Sequence, residues 1–173
     1  ESLKNISILE IGFGTGLNAL LTAIEAEKLR LKIDYVGVEA YPVSYEELQQ
    51  LNYTQIISNT TQDLFDVIHE SSWGKQENIS PFFSLKKRKQ FFNDITDKEV
   101  FDLIYFDAFG ARVQPELWTE DIFKIMFKAL KQNGVLVTYS AKGSVRRAMQ
   151  TVGFTVERLP GPPGKREMLR ATK

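Results

Sequence analysis

Two rhythms alternate along this 173-residue chain. Short apolar runs, the mark of strands buried on both faces, occupy Ile6–Ile11, Ile33–Val38, Phe101–Phe106, Val135–Tyr139, Phe154–Leu159 and Glu167–Ala171. A less regular run places a third strand at about Lys89–Asn93. Between them apolar residues recur with helical spacing. Leu17, Leu20, Leu21 and Ile24 fall at i, i+3, i+4 and i+7, as do Ile122, Ile125, Met126 and Ala129, and then Val145, Ala148, Met149 and Val152. Such stripes are read as core packing. Pro42 is expected to open a further helix reaching about Leu51. Asn133-Gly134 is expected to end the second periodic helix and Gly153 the third. "SSWGKQENIS" reads as a polar loop, and "PFFSLKKRKQFF" as a hairpin leading into the third strand.

Strands alternating with helices predict one α/β domain over residues 1–173, a mostly parallel sheet covered on both faces. The last two strands are joined by "PGPPGKR", too short for a crossover helix, so they run antiparallel.

Composition narrows the chemistry. With no cysteine, disulfides and thiolate metal sites are excluded, and a lone histidine, His69, argues against a histidine metal site or a catalytic triad. No apolar run approaches the ~20 residues of a membrane span, and no secretory signal is visible. Lys and Arg number 22 against 22 Asp and Glu, so global charge gives no pull toward nucleic acid. The chain starts at Glu1 without an initiator Met and is expected to be trimmed at its start.

The stretch "ISILEIGFGTGLNALLTAI" carries three glycines, Gly12, Gly14 and Gly16, between a strand and a helix. Glycine there lets backbone approach a ligand closely. The spacing is Gly-x-Gly-x-Gly, unlike the dinucleotide fingerprint Gly-x-Gly-x-x-Gly, and no Lys-Ser or Lys-Thr follows to make a Walker loop. Glu39 ends the second strand, where a carboxylate accepts hydrogen bonds from both ribose hydroxyls. NAD enzymes and S-adenosylmethionine (SAM) methyltransferases share that arrangement. Glu10 is expected to hold the loop or to reach a ligand ammonium through water. Asp94, after the third strand, is placed to accept from an adenine amino group, and Asp107, after the fourth, to face the centre of the crevice. Four acidic strand ends would then share one sheet edge. A doubly wound, seven-stranded sheet with an antiparallel last strand points to a class I SAM-dependent methyltransferase (Rossmann-like) fold rather than a dehydrogenase. Lys165 and Arg166, with Lys142, Arg146 and Arg147, are expected at the same mouth as phosphate contacts. Phe109 or Trp118 is placed to stack a flipped base, although Trp118 is equally suited to the core. Tyr105 and Tyr139 are better suited to packing than to the pocket. The run Lys86-Lys87-Arg88-Lys89 is read as a solvated turn at the opposite edge.

With these residues placed, the chain resembles the methyltransferase domain of the bacterial tRNA wobble-uridine modification family MnmC. The matching pieces are "GFGTGLNAL", "VEAYP", "FFNDI", "FDAFGARVQPELWT", "SVRRAMQTVGF" and "GKREML", in the family's order. The resemblance implies a cytoplasmic enzyme that N-methylates 5-aminomethyluridine, often 2-thiolated, at the wobble position of tRNA. It implies that Gly12, Gly14 and Gly16 line the SAM site, that Glu39 holds the ribose and Asp94 the adenine, and that Asp107 faces the methyl and the substrate amine. One segment departs from the family: Asp107-Ala108-Phe109-Gly110-Ala111 stands where Asp-Gly-Phe-Ala-Pro is usual. The FAD-dependent oxidase domain of two-domain members is not in this sequence, so the free aminomethyl substrate, or a separate oxidase partner, is expected. The residues leave two alternatives open: a SAM-dependent transferase acting on a small amine or protein, and a catalytically silent SAM-binding module.

Overall fold

A computed structural model describes residues 5–58, 61–161 and 163–173. Strands β1 (Asn5–Ile11) and β2 (Lys32–Glu39) flank helix α1 (Leu17–Leu29). Three short helices follow, α2 (Tyr45–Leu48), α3 (Tyr53–Ile57) and α4 (Gln62–Glu70), then the hairpin β3 (Gln76–Ser80) and β4 (Phe83–Lys89). The chain continues through β5 (Phe101–Phe106), α5 (Glu120–Ala129), β6 (Leu130–Thr138), α6 (Gly143–Val152), β7 (Thr155–Pro160) and β8 (Glu167–Thr172).

The strands form one sheet in the order β3-β4-β2-β1-β5-β6-β8-β7. β1 pairs in parallel with β2 on one side and with β5 on the other, so the order reverses at β1 and opens a crevice beyond its carboxyl end. β8 runs antiparallel between β6 and β7, as the short connection requires. Each sheet face buries its own core. Leu20, Ala23, Phe65 and Ile68 of α1 and α4 pack with Ile8 and Tyr35 on one face. Phe123, Met126, Val145 and Met149 of α5 and α6 pack with Leu9, Ile11 and Phe106 on the other. No helix among the described residues is long and apolar enough to cross a membrane.

Several sequence expectations need correction. The described sheet has eight strands, not seven, because "QENIS" pairs as β3 instead of looping. The third parallel strand is Phe83–Lys89, not Lys89–Asn93, and Phe92–Asp94 form a 3-10 turn after it. The basic run is therefore strand, not solvated turn, and it climbs toward the crevice: Lys87 pairs with Gly37 and Lys89 with Glu39. Lys87 is only 2% exposed. Its ammonium donates to the carbonyls of Ile68 (3.0 Å) and His69 (2.8 Å), covering the open end of α4. Pro42 precedes α2 rather than opening it. Ser44 caps that helix with a reciprocal Glu47 box. Asn133-Gly134 lies inside β6, where Asn133 takes a left-handed φ of 62°, and α5 ends earlier, at Ala129. Gly153, with φ 119°, does cap α6.

Candidate functional site

A cavity of about 970 Å³ opens where the sheet order reverses. Its size falls within the ~300–1,000 Å³ of small-molecule sites. Its floor is the turn from β1 into α1. The N–H groups of Gly12 and Phe13 both donate to Val38 O at 3.0 Å, tying the turn to β2. On the other side Asp107 N–H donates to Ile11 O at 2.9 Å, so the β5 end closes on the same turn. At Gly12 φ is +87° and a Cβ would lie 2.7 Å from Asp107 O. Only glycine permits that approach.

Glu39 stands at the next strand end with both carboxylate oxygens held by backbone. Gly14 N–H donates to Oε2 at 3.1 Å and Tyr41 N–H to Oε1 at 3.0 Å. Each oxygen keeps a lone pair for a ligand hydroxyl. Glu10 is buried beneath the turn. Tyr35 OH donates to its Oε2 and Asn18 Nδ2 to its Oε1, both at 2.8 Å. Burial pushes its carboxyl up to about 8, against those hydrogen bonds, so it is neutral at pH 7. Asp107 opens onto the cavity and accepts from Asn18 Nδ2 at 2.9 Å through Oδ2. Lost hydration holds its carboxyl above the usual value, opposed by the Asn18 bond and the charge of Lys165.

Glu10, Gly12, Gly14, Glu39, Asp107, Phe109 and Lys165 therefore converge on one cavity. Lys165 lies over the Tyr139 ring, 3.9 Å from its centroid, and Tyr139 OH donates to Ala108 O at 2.7 Å. Tyr139 thus lines the site, whereas Tyr105 packs in the core beside Tyr35. Phe109, 70% exposed, stands at the mouth. Gly16 caps α1 with φ 74° and lies outside the lining. Asp94 is exposed and does not line the cavity; its neighbour Asn93 does. Lys142, Arg146, Arg147 and Arg166 also lie outside the lining. Trp118 is buried and donates from Nε1 to Phe109 O at 2.8 Å, so it braces the mouth from the core.

Sequence reasoning missed Asn18, Phe91 and Tyr53, which line the same cavity. Asn18 had a signal: a weak helix former inside the apolar run "LNALL", one residue into the helix. Tyr53 had none, since its place depends on α3 folding back until its hydroxyl meets Thr15 Oγ1 at 2.7 Å.

The profile of a family described as S-adenosyl-L-methionine-dependent methyltransferase matches residues 85–173, half of the chain. The chain belongs to this methyltransferase family. It is 32% identical over 174 residues to the "tRNA 5-methylaminomethyl-2-thiouridine biosynthesis bifunctional protein MnmC" of Marinomonas sp. (strain MWYL1), covering 93% of this chain and 25% of that protein. The protein of the same name from Paracidovorax citrulli (strain AAC00-1) is 30% identical over 175 residues, covering 95% and 27%. The methyltransferase chain thus spans about a quarter of the length of these curated relatives. The crystal structure of MNMC2 from Aquifex aeolicus superposes with a TM-score of 0.70 at 24% identity, over 97% of this chain and 53% of that one. The fold is that of class I SAM-dependent methyltransferases. SAM is the family's cofactor, and the observed site suits it: a turn that a Cβ would block, and a backbone-held carboxylate with lone pairs to spare.

Proposed function

We propose that this methyltransferase acts on the aminomethyl nitrogen of 5-aminomethyluridine, 2-thiolated or not, at the wobble position of tRNA. The observation that carries the reading is the Asp107 carboxylate at the switch point of the sheet. It is open to the cavity beside the glycine turn, with Lys165 close by. The names of the two relatives, which concern the biosynthesis of 5-methylaminomethyl-2-thiouridine in tRNA, support this substrate class. Under this reading a FAD-dependent oxidase acts earlier, delivering the free aminomethyl group, and the chain works with tRNA in the cytoplasm.

SAM, when bound, supplies an electrophilic methyl on a sulfonium sulfur. Gly12 and Gly14 would let the turn lie against it, Gly16 starts the helix behind, and Glu39 would accept from the ribose hydroxyls. Asn93 is better placed than Asp94 for the adenine amino group. Glu10, neutral and buried, supports the turn from below. Asp107 accepts a hydrogen bond from the acceptor N–H and aims the nitrogen lone pair along the cavity. The bond from the methyl to sulfur would break as the N–C bond forms, with S-adenosylhomocysteine leaving, and Asp107 would take the proton that the aminomethyl ammonium must lose before its nitrogen can attack. Holding the reactants in line supplies up to ~7–11 kcal/mol of the barrier reduction. Lys165, with Arg166, Lys142, Arg146 and Arg147 farther out, meets tRNA phosphates, and Phe109 stacks the flipped base.

The test is calorimetry with S-adenosylhomocysteine, followed by unmodified and aminomethylated tRNA. The expected result is cofactor binding and a preference for aminomethylated tRNA that weakens steeply with salt. Cofactor binding without any tRNA response, together with methylation of small amines, moves the substrate to that class. Asp107→Asn is expected to lower kcat by ~10²–10⁴-fold with S-adenosylhomocysteine affinity retained. Near-normal turnover rejects the proton-accepting role.

A further inference from the structure

The Asn18 side chain joins the two carboxyl groups of the site. It projects from the first turn of α1, directly after the glycine turn. Its Nδ2 donates to Glu10 Oε1 at 2.8 Å and to Asp107 Oδ2 at 2.9 Å. A carboxamide nitrogen carries two hydrogens, and both are used here. Tyr35 OH holds the other oxygen of Glu10, so a chain of hydrogen bonds runs from the core through Glu10 and Asn18 to Asp107.

This arrangement distinguishes the two oxygens of Asp107. Oδ2 is claimed by Asn18, while Oδ1 has no hydrogen bond to protein among the described residues. A free carboxylate turns readily about χ2, a broad torsion with shallow wells. The Asn18 bond removes that freedom. We propose that Asn18 is a positioning residue that fixes the Asp107 carboxylate by Oδ2 and so presents Oδ1 to the methyl acceptor. The inference rests on the reading of Asp107 given above.

The residue type follows from the charges around it. An aspartate in this first turn would suit the helix dipole, but it would face Glu10 and Asp107 and leave Glu10 Oε1 and Asp107 Oδ2 without a donor. Leucine would continue the apolar stripe and would also donate nothing. Glu10 from β1, Tyr35 and Glu39 from β2, Tyr105 from β5, Tyr139 from β6 and Lys165 from the β7–β8 connection are the other titratable groups acting on this site. None of them is hydrogen-bonded to Asp107. Asn18 is therefore the contact whose removal should release the carboxylate.

The experiment compares Asn18→Leu and Asn18→Ala with the unsubstituted chain, alone and with Asp107→Asn. Three quantities are measured: S-adenosylhomocysteine affinity, kcat and KM on aminomethylated tRNA, and a carbon-13 titration of the Asp107 carboxyl without substrate. Both Asn18 variants are expected to lower kcat by ~10–100-fold, in line with a hydrogen bond to a charged group. KM and cofactor affinity should stay within about threefold, and the calorimetric stoichiometry should match that of the unsubstituted chain, since a partly unfolded population would lower kcat only by removing active sites. The Asp107 titration should move upward, carrying the acid limb of the kcat profile with it. In the Asp107→Asn background the Asn18 substitutions should have little further effect. If Asp107→Asn loses turnover while the Asn18 variants keep both kcat and the Asp107 titration, positioning is wrong and the reading of Asp107 stands. If Asp107→Asn retains turnover, the reading of Asp107 itself falls, and the positioning role with it. The titration needs only the folded chain, so it decides the matter for whichever Asn18 variant folds.

Discussion

Glu39 shows what a single residue at a strand end accomplishes. Its carboxylate accepts from the N–H groups on both sides of the crevice floor, Gly14 and Tyr41, so it organises backbone before any ligand arrives. Glu39→Ala is therefore expected to weaken S-adenosylhomocysteine binding by ~10–100-fold, the worth of charge-assisted hydrogen bonds. Calorimetry measures it directly, and unchanged affinity rejects the ribose role. Glu10, Gly12, Glu39 and Asp107 were legible in the sequence because strand ends and a glycine turn are one-dimensional signals. Asp94 was read one position off the lining because the strand before it ends earlier than expected, and the turn at Phe92–Asp94 presents Asn93 instead. Phe91 and Tyr53 were not legible, since nothing local says that they face a cavity built by other segments.

At the scale of elements, the lesson of β4 is that alternation can be hidden by charge. Phe83, Leu85 and Lys87 are all buried, but the third of these is a lysine, which breaks the apolar pattern that marks an inward face. Its stem is buried, and its ammonium lies 5.3 Å from the Trp73 ring centroid as well as on the end of α4. Burial lowers the Lys87 pKa to about 8. Helices α3 and α4 were missed although Asn52 and Thr61 stand at their N-caps, because five and nine residues show too few turns of apolar spacing. Strand β2 carries a second requirement. Phe13, in the glycine turn, lies across Gly37, where a Cβ would stand 2.2 Å from its ring. Alanine suits a strand better than glycine in general, yet Gly37→Ala is expected to cost ~1–3 kcal/mol here through overpacking. A urea titration reads that loss. A gain in stability would mean that the ring moves aside without cost.

Across the whole molecule, buried ionisable groups set how stability varies with pH. Glu10 keeps its proton in the folded chain up to about pH 8, whereas the unfolded chain releases it above about 4.5. The folded state thus binds more protons in that window, and stability falls as pH rises through it, by ~1.4 kcal/mol per pH unit. His69 acts in the opposite sense: burial lowers its pKa from 6.5 to about 4, so stability is lost as pH falls between those values. The two slopes offset each other below pH 6.5, and the Glu10 slope stands clear between 6.5 and 8. Glu10→Gln is expected to flatten stability across that upper window, as followed by denaturant midpoints at several pH values. An undiminished slope would assign it elsewhere. At this scale the antiparallel last pair was readable because it follows from the length of its connection, whereas connection lengths do not dictate the reversal of strand order beside β1. The additional strand was not readable either, because polar "QENIS" forms an edge, where one face needs no apolar partner.

The placement of β8 between β6 and β7 also makes one strand dependent on the next. Among the described residues β7 pairs with β8 alone, so it gains its place in the sheet only when the residues after it have threaded in beside β6. Lys165 sits in the connection between those two strands and reaches the cavity through that same closure. Lys165 thus depends on the closure of the last strand pair for its place at the cavity, whereas the glycine turn, Glu39 and Asp107 are set by β1, β2 and β5.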